Sequence, residues 1–460
     1  MRLHTSFARG ALLRASTIAS LALVGACSTG DLLEVEDPDI IDAGQTQSAE
    51  GALGLANGGL DAFRNITAGN ESTWLFGGLL ADEWATSSTF PQNDETDQRR
   101  IQTNNGQVTS MLYRLYRARS RPSEAITALN KFNPTQRPVI AEMYLAKGFA
   151  EMQLALDFCN GIPLSDVVDG KLVEGAPLTN QQVFARASSD LDSAIAFANG
   201  TDAKSVQVAR AARVVKARVL MAVGSNQYAA AAALVTAVPT SFTYQQGFSL
   251  TGGTNTIWGQ GLSARRYVVG ANPEGNSRNI VIQNALPFSS ANDPRVPVTR
   301  SNSLGQDGLT AIRTTNIWGQ LTSIDVVHGI DARMIEAEAA LALNTPAGVT
   351  QWLAIHNALR AAPPKLGEVQ PAALPPLTDP GTQAARVTLH FTEKAYWTFS
   401  RGQRLGDLRR LIRQYGRTQD QVFPVGIHFK GGNYGTDVNF PIVVDEENNS
   451  LFKGCLDRNA

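Results

Sequence analysis

Histidine and cysteine are scarce in this chain, and their scarcity excludes several kinds of site. Among 460 residues there are five histidines and three cysteines. Four histidines follow the first thirty residues, His328, His356, His390 and His428, and none has the spacing of a metal-ligand set. The HExxH, GxSxG and Walker A motifs are also absent. The sequence therefore predicts a protein that is not an enzyme and that has no metal or other cofactor.

An excess of charge of one sign is lacking as well. The chain has 40 lysines and arginines against 41 aspartates and glutamates, a formal net charge of −1, and no basic cluster. Because nucleic acids are bound through dense Lys/Arg contacts, this balance argues against a nucleic-acid partner. No apolar run of 18 residues occurs after the first thirty, so we expect no membrane-spanning helix there. The 43% hydrophobic fraction suits a globular body.

The first 26 residues have the layout of a secretory signal. Arg2, Arg9 and Arg14 form a basic front, residues 11–24 are mostly apolar, and small residues precede Cys27. This arrangement resembles a bacterial lipoprotein signal. The resemblance implies that Cys27 is diacylated on sulfur, becomes the first residue after cleavage, and is acylated on nitrogen. An ordinary secretory leader, in which Cys27 falls at this position by chance, is the alternative.

Cys159 and Cys455 are the two other cysteines. Export would place them in an oxidising compartment, where two such thiols can pair. The disulfide would join the middle of the chain to its last residues. Two separate buried thiols are the alternative, because sequence does not supply the Cα separation that a disulfide requires.

Beyond the signal, residues 27–45 are predicted to form a polar, acidic tether and residues 46–460 a single domain. Helical spacing of apolar residues recurs along this domain, and small residues at 206–223 and 228–238 allow two helices to approach closely. Such pairs resemble tetratricopeptide repeats. The helices are predicted at 46–63, 110–132, 139–157, 179–198, 206–223, 228–238, 332–343, 349–361 and 388–414. Residues 240–325, rich in Gly, Asn, Ser and Thr, are predicted to form a long loop insertion.

Several conspicuous side chains have a structural interpretation. Trp352 and Trp397 lie on helical patterns and are predicted to be core residues. The acidic pairs Asp82/Glu83 and Glu336/Glu338 are interpreted as polar contacts at helix ends, since a glycosidase needs two carboxylates that face each other across a sugar. For the arginines at 401, 404, 409 and 410 an ion-paired or solvated helix face is preferred to an acidic-ligand site.

Nine segments, in order along the chain, resemble the SusD/RagB family of nutrient-binding outer-membrane lipoproteins. The strongest is the run RLGDLRR at 404–410, which is similar to the family's Arg-x-x-Asp-Leu-Arg-Arg segment. The chain departs from the family pattern at Gly406, where an aromatic residue is common, and at Val443, where proline is usual. The nine segments are 31–35, 77–83, 141–149, 161–164, 293–295, 333–339, 357–360, 402–410 and 440–442.

The resemblance implies a mainly α, SusD-like fold, in which tetratricopeptide-like helical hairpins support an irregular, loop-rich ligand face with little β structure. It also implies a lipid-anchored protein of the outer membrane, facing the cell surface. Such a protein captures oligosaccharides, peptides or other nutrients for a SusC-like TonB-dependent transporter. A non-catalytic helical-repeat lipoprotein that scaffolds an envelope assembly is the alternative. An exported hydrolase is a third hypothesis, and the absence of the HExxH and GxSxG motifs argues against it.

Sugar rings stack their apolar faces on aromatic planes, and their hydroxyls bond to amides and carboxylates. Aromatic residues of the early and middle loops are therefore candidates for ligand stacking, although each could equally be packed in the core. These aromatic candidates are Trp84, Trp258, Tyr267 and Trp318. The candidate hydrogen-bonding neighbours are Asn70, Gln92, Asn93 and Asn255.

Overall fold

Twelve helices of seven or more residues form the scaffold in the described part of a computed structural model, which covers residues 47–168, 171–272 and 280–460. The predicted signal at 1–26, Cys27 and the tether at 27–45 lie outside the described residues. The helices are α1 Ala49–Ala68, α2 Thr73–Leu80, α3 Pro91–Asp97, α4 Gly106–Phe132, α5 Arg137–Asp157, α6 Asn180–Phe197, α7 Ala203–Val223, α8 Tyr228–Val235, α9 Gly329–Ala342, α10 Pro346–Ala361, α11 Gln383–Trp397 and α12 Arg404–Tyr415.

The strands are short and pair only in twos within these described ranges. All five pairs are antiparallel: β1 with β7, β2 with β5, β3 with β4, β6 with β10, and β8 with β9. The strands are β1 Trp84–Thr86, β2 Ile162–Pro163, β3 Asp166–Val168, β4 Lys171–Val173, β5 Pro177–Leu178, β6 Thr243–Gln246, β7 Tyr267–Val269, β8 Val298–Leu304, β9 Ala311–Thr315 and β10 Ile324–His328.

Successive helices pack side by side, and the residue types at their contacts explain why. Helices α4 to α8 each pack on the next in chain order, and α9 packs on both α8 and α10. Small side chains on α7, including the fully buried Ala211, Ala212 and Ala217, allow close approach. Helix α6 begins at the predicted capping box, with Thr179 and Gln182 bonding reciprocally to the backbone. The predicted mainly helical architecture with little β structure is confirmed.

The predicted helix at 388–414 is two helices, α11 and α12, and two backbone positions explain the break. Ser400 and Gly402 have φ angles of 59° and 62°, in the left-handed region. A Cβ at Gly402 would lie 2.1 Å from Cδ1 of Trp74, so only glycine allows this turn to pack on the buried indole. The apolar spacing continues through the turn, and for that reason the pattern alone suggested one helix.

The segment 240–325 also differs from its prediction, because it contains the strands β6, β7, β8, β9 and the start of β10. Strand β8 has the sequence VTRSNSL and is exposed at six of its seven positions. A strand with both faces in solvent has no alternation of apolar and polar residues, which is the pattern that identifies strands in a sequence. Trp352 and Trp397, in contrast, are 0% and 1% exposed, as predicted.

The arginines of α12 and of the turn before it are interior groups. Arg404 donates from Nε to the carbonyl of Ala81, which caps the C-terminal end of α2, at 2.8 Å. Arg409 donates to carbonyls at the end of α5, among them that of Phe158 at 3.2 Å. Cations at these positions satisfy the carbonyls that a helix end leaves free and oppose the helix dipole. All four arginines at 401, 404, 409 and 410 are buried, so the predicted solvated face is wrong and the ion-paired one holds for Arg401 and Arg410.

Two of these arginines pair with carboxylates of α9. Arg401 binds Asp331 through both guanidinium nitrogens, at 2.9 and 2.7 Å. Arg410 binds both oxygens of Glu338, which also accepts from the Tyr415 hydroxyl at 2.6 Å. Glu338 lies in the interior of α9, so its interpretation as a helix-end contact is wrong. The Arg410–Glu338 pair fixes α12 against α9, and the Arg401–Asp331 pair fixes the turn before α12 against the same helix.

The C-terminal segment packs across the end of α5. Sγ atoms of Cys159 and Cys455 lie 2.08 Å apart with a Cα–Cα distance of 5.8 Å, a disulfide that spans 296 positions. The amide of Phe440 donates to the carbonyl of Asp157 at 2.8 Å, and the amide of Cys159 donates to the carbonyl of Phe440 at 2.9 Å. Among the described residues, no helix combines the length and apolar character needed to cross a membrane.

A candidate ligand-binding site

The candidate site is built where the short strands β1 and β7 meet. Trp84 of β1 pairs with Val269 of β7, and Thr86 pairs with Tyr267. Trp84 follows directly on the buried end of α2, and its ring packs on Phe399 with centroids 5.2 Å apart. Two of the four predicted aromatic residues are thus held on neighbouring strands, although Trp84 was predicted to lie in a loop.

A third aromatic residue, Trp258, lies on a single helical turn, Thr256–Trp258, that Asn255 caps. The Asn255 Oδ1 accepts from the amide of Ile257 at 3.0 Å, and its Nδ2 donates to the carbonyl of Thr322 at 3.2 Å. A π-helical turn, Gly259–Ser263, follows. Because Asn255 is fully buried and both of its polar atoms bond to backbone, its observed role is to hold this turn against the chain before β10.

The four predicted aromatic residues line one small cavity that is open on one side. Trp84, Tyr267 and Trp318 are at most 3% exposed and form the wall. Trp258 is half-buried and Leu262 is 39% exposed, so these two side chains reach solvent. The full lining is Trp84, Ile257, Trp258, Gly261, Leu262, Tyr267, Thr314, Thr315 and Trp318.

The predicted polar residues lie beside this cavity and do not line it. Asn93 is buried in α3 and donates from Nδ2 to the Tyr267 hydroxyl at 3.0 Å. Asn70, which is exposed, accepts from Gln260 Nε2 at 2.7 Å. The half-buried Gln92 contributes its backbone carbonyl, which accepts from Asn105 at 3.0 Å. Asn93 and Asn70 thus reach residues near the cavity only through Tyr267 and Gln260.

Sequence reasoning missed several lining residues. Ile257 and Leu262 flank the predicted Trp258, and Thr314 and Thr315 come from β9. The position of Leu262, four residues after Trp258, was available from the sequence as a helical spacing. The sequence around Thr314 and Thr315 gives no sign that they line a cavity, because they reach it only through the pairing of distant segments. No cluster of three or more His, Cys, Asp or Glu side chains suited to a metal occurs within 47–168, 171–272 and 280–460.

Behind the cavity wall lies a buried carboxyl group, Glu83. Gly78 of α2 allows its approach, since a Cβ there would lie 2.6 Å from Cδ1 of Trp84 and 3.3 Å from Oε2 of Glu83. Glu83 is fully buried. Burial raises the pKa of its carboxyl to about 8, and the charge of Arg404 opposes that rise only partly. The group is therefore neutral in the folded protein at pH 7.

Glu83 should make the folded protein less stable at alkaline pH. In the unfolded chain its pKa is near the ordinary value of about 4.5, so between roughly pH 4.5 and pH 8 the unfolded state releases a proton that the folded state keeps. The stabilisation is complete below pH 4.5 and is lost as pH rises through 8. The parent should therefore lose roughly 4 kcal/mol of unfolding free energy between pH 5 and pH 9 through Glu83, a loss that Glu83→Gln should abolish.

Chemical unfolding of both proteins at pH 5 and pH 9 measures this difference. Glu50→Gln, which changes an exposed glutamate in the first turn of α1, is the matched control. Comparison of variant with parent removes the contributions of other titrating groups such as Asp157 and Glu151, whose pKa values burial also raises. Parallel pH profiles for the parent and Glu83→Gln would show that Glu83 ionises normally.

No protein-family model matches the sequence, and no curated protein matches it significantly. Solved structures do match in fold. A SusD superfamily protein from Bacteroides fragilis is 15% identical with a TM-score of 0.63, over 88% of this chain and 99% of that one. A SusD-like carbohydrate binding protein from Bacteroides vulgatus is 12% identical, with a TM-score of 0.59 over 88% of this chain and 97% of that chain.

A surface glycan-binding protein A from Bacteroides uniformis is 12% identical with a TM-score of 0.61, and the match covers 89% of this chain and 99% of that one. These similarities extend over nearly the whole length of each neighbour. They concern the path of the backbone, since so few residues are identical. The chain therefore has the SusD-like fold that its motifs at 404–410 and elsewhere predicted.

Proposed function

We propose that this protein binds glycans at the aromatic cavity, as a non-catalytic lipoprotein of the outer membrane, and passes them to a SusC-like TonB-dependent transporter. The observation that carries the proposal is the convergence of Trp84, Trp258, Tyr267 and Trp318 on one cavity. An aromatic wall with a half-buried indole beside solvent suits the apolar face of a sugar ring. The names of two structural neighbours, a carbohydrate binding protein and a surface glycan-binding protein, support the same ligand class.

The membrane part of the proposal depends on Cys27. Several acyl chains hold a protein at a membrane far more firmly than one, because each buried methylene adds roughly 0.8 kcal/mol. Metabolic labelling with palmitate, which Cys27→Ala should abolish, tests the anchor. Purification of the tagged chain from its native membrane tests the transporter, and recovery without any TonB-dependent barrel would oppose that part of the proposal.

Trp258 is the residue whose removal should affect ligand binding most cleanly. Trp318 is 3% exposed, so its replacement by alanine would cost about 3–5 kcal/mol of stability and confuse the result. Trp258 is half-buried on a surface turn. We expect Trp258→Ala to weaken binding of a glycan by about tenfold, which corresponds to about 1.4 kcal/mol of lost stacking and burial, with little change in melting temperature.

A glycan array probed with the full chain in detergent identifies the ligand, and calorimetric titration measures the affinity. Tyr113→Ala serves as the control, because Tyr113 is a half-buried aromatic residue of α4 that does not line the cavity. Equal affinities for the parent and Trp258→Ala would place the glycan elsewhere. Binding of no glycan by the parent would oppose the proposed function itself.

A further inference from the structure

A second group of polar side chains lies on the far side of Tyr267 from the cavity. The group, called here the Glu71 subsite, consists of Glu71, Asn93, Arg114, Gln260 and Arg266. Arg114 Nη2 lies 3.5 Å from Glu71 Oε2, and the carbonyl of Gln260 accepts from the amide of Arg266 at 2.9 Å.

The link between the two regions is Tyr267 itself. Its ring lines the aromatic cavity, and its hydroxyl accepts the hydrogen bond from Asn93. Gln260, in the turn that follows Trp258, binds Asn70, which precedes Glu71 in sequence. Tyr267 therefore belongs both to the wall of the cavity and to the hydrogen bonds of the subsite.

Four buried polar atoms of this subsite have no hydrogen-bond partner among the residues that the structure describes. Two are donors, Arg114 Nη1 and Arg266 Nε, and two are acceptors, Asn93 Oδ1 and Gln260 Oε1. An unpaired buried polar atom costs about 1–3 kcal/mol, so such atoms are rare in folded proteins. Four such atoms in one group of linked residues indicate that the subsite has hydrogen-bonding capacity for a further partner.

The charges of the subsite favour an anion. The guanidinium groups of Arg114 and Arg266 both lie within electrostatic range of the single Glu71 carboxyl, whose pKa burial raises. Glu71 has a φ of 47°, a left-handed conformation that is uncommon for a residue with a side chain. Guanidinium groups bind carboxylates through paired, charge-assisted hydrogen bonds.

The two acceptors narrow the ligand class. Amide oxygens of Asn93 and Gln260 need donors, which a carboxylate lacks and sugar hydroxyls provide. A hexuronate residue offers a carboxylate for the arginines, hydroxyls for the amides, and an apolar ring face for the neighbouring aromatics. An acidic peptide offers the carboxylate but few hydroxyls.

We propose that the Glu71 subsite binds the carboxylate of a hexuronate residue in an acidic oligosaccharide whose next sugar stacks in the aromatic cavity. The proposal rests on the proposed glycan-binding function and adds the chemical class of the glycan to it. Arg114 and Arg266 receive the carboxylate, and Glu71 limits the positive charge when no ligand is bound.

Calorimetric titration of the full chain in detergent tests this with tetragalacturonate, a glucuronate-containing tetrasaccharide, and the methyl ester of each. We expect at least one of the two acidic oligosaccharides to bind at least tenfold more tightly than its methyl ester. Addition of 0.5 M NaCl should reduce this preference. Arg266→Gln should remove the preference and Glu71→Gln should increase it, because the two changes shift the charge of the subsite in opposite directions.

Arg266 also lies over the ring of Phe90, with 4.5 Å from Cζ to the centroid, so its replacement could disturb packing. Arg266→Lys, which keeps the charge, and a melting curve for each variant separate a loss of charge from a loss of fold. Arg186→Gln is the control, because it removes one positive charge from an exposed position on α6.

Equal binding of acids and esters, or no binding of any of the four probes, would overturn the hexuronate proposal. Preference for a glutamate-rich peptide over the oligosaccharides would overturn it in favour of a peptide ligand. A different result would oppose the proposed glycan-binding function. That result is an unchanged affinity of Trp258→Ala for every glycan that the array identifies. A neutral glycan whose affinity depends on Trp258 but not on Arg266 would keep that function and reject the uronate subsite.

Discussion

Replacement of both Cys159 and Cys455 by alanine is expected to lower the free energy of unfolding by about 5 kcal/mol. In the chain-entropy model a cross-link stabilises a protein by restricting its unfolded chain, and the effect grows with the length of the closed loop. This disulfide closes a loop of 296 positions, from the end of α5 to the last residues. Alanine is the preferred replacement because Cys159 is fully buried and a serine hydroxyl there would have to be desolvated.

The double variant should still fold, because other contacts dock the same segment. Asn160 Nδ2 donates to both carboxylate oxygens of Asp457, at 3.1 and 2.9 Å, and the amide of Leu456 donates to the carbonyl of Asn160 at 2.8 Å. Denaturant unfolding with and without reductant measures the effect. The parent should lose stability on reduction and the variant should not. Two free thiols in the non-reduced folded protein, or equal midpoints with and without reductant, would contradict the disulfide.

Removal of Arg410 is expected to cost about 3–5 kcal/mol of stability. Although burial raises the pKa of Glu338, the charge of Arg410 holds it well below its ordinary value, so Glu338 is a buried carboxylate. Arg410→Ala leaves that carboxylate without its main counter-charge in the interior, which is the costly way to break a buried pair. The Tyr228 hydroxyl loses the hydrogen bond that it accepts from Arg410 Nη2 at 2.8 Å, and keeps the one that it donates to Gln414.

The chain offers a control with similar geometry in solvent. Arg386 binds both oxygens of Asp379 at 2.7 Å, but at the surface. Arg386→Ala should therefore cost less than about 1 kcal/mol, as exposed ion pairs generally do. Glu338→Leu combined with Arg410→Leu should recover much of the loss, since both charges then leave the interior. If Arg410→Ala and Arg386→Ala destabilise the protein equally, Arg410 is not the main counter-charge of Glu338.

The helical part of the fold was accessible from the sequence because its signals are local. Thr179 and Gln182 mark the start of α6 within four residues, and the spacing of apolar residues marks the helix that follows. Trp352 and Trp397 could be assigned to the core for the same reason. The burial of the arginines at 401, 404, 409 and 410 could not be predicted, because their partners Asp331, Glu338 and the carbonyls of α2 and α5 lie 70 to more than 300 positions away.

The candidate site was accessible only in part. Aromatic residues in polar segments are unusual enough to be noticed singly, and that signal selected Trp84, Trp258, Tyr267 and Trp318. The sequence did not predict that Trp84, Tyr267 and Trp318 would be almost completely buried, since their burial depends on the pairing of β1 with β7. The Glu71 subsite gave no signal, because Glu71, Arg114 and Arg266 are ordinary charged residues until distant segments bring them together.

The docking of the C-terminal segment on α5 has a consequence for how the protein is made. The ring of Phe440 packs on Phe158 with centroids 5.7 Å apart, and Arg99 Nε donates to the carbonyl of Asp437 at 2.8 Å. A ribosome releases these partners about 280 and 340 residues apart, so the end of α5 stays uncovered throughout most of translation. The end of α5 thus cannot acquire its native cover before residue 440 has been synthesised, a property compatible with threading through a secretion channel.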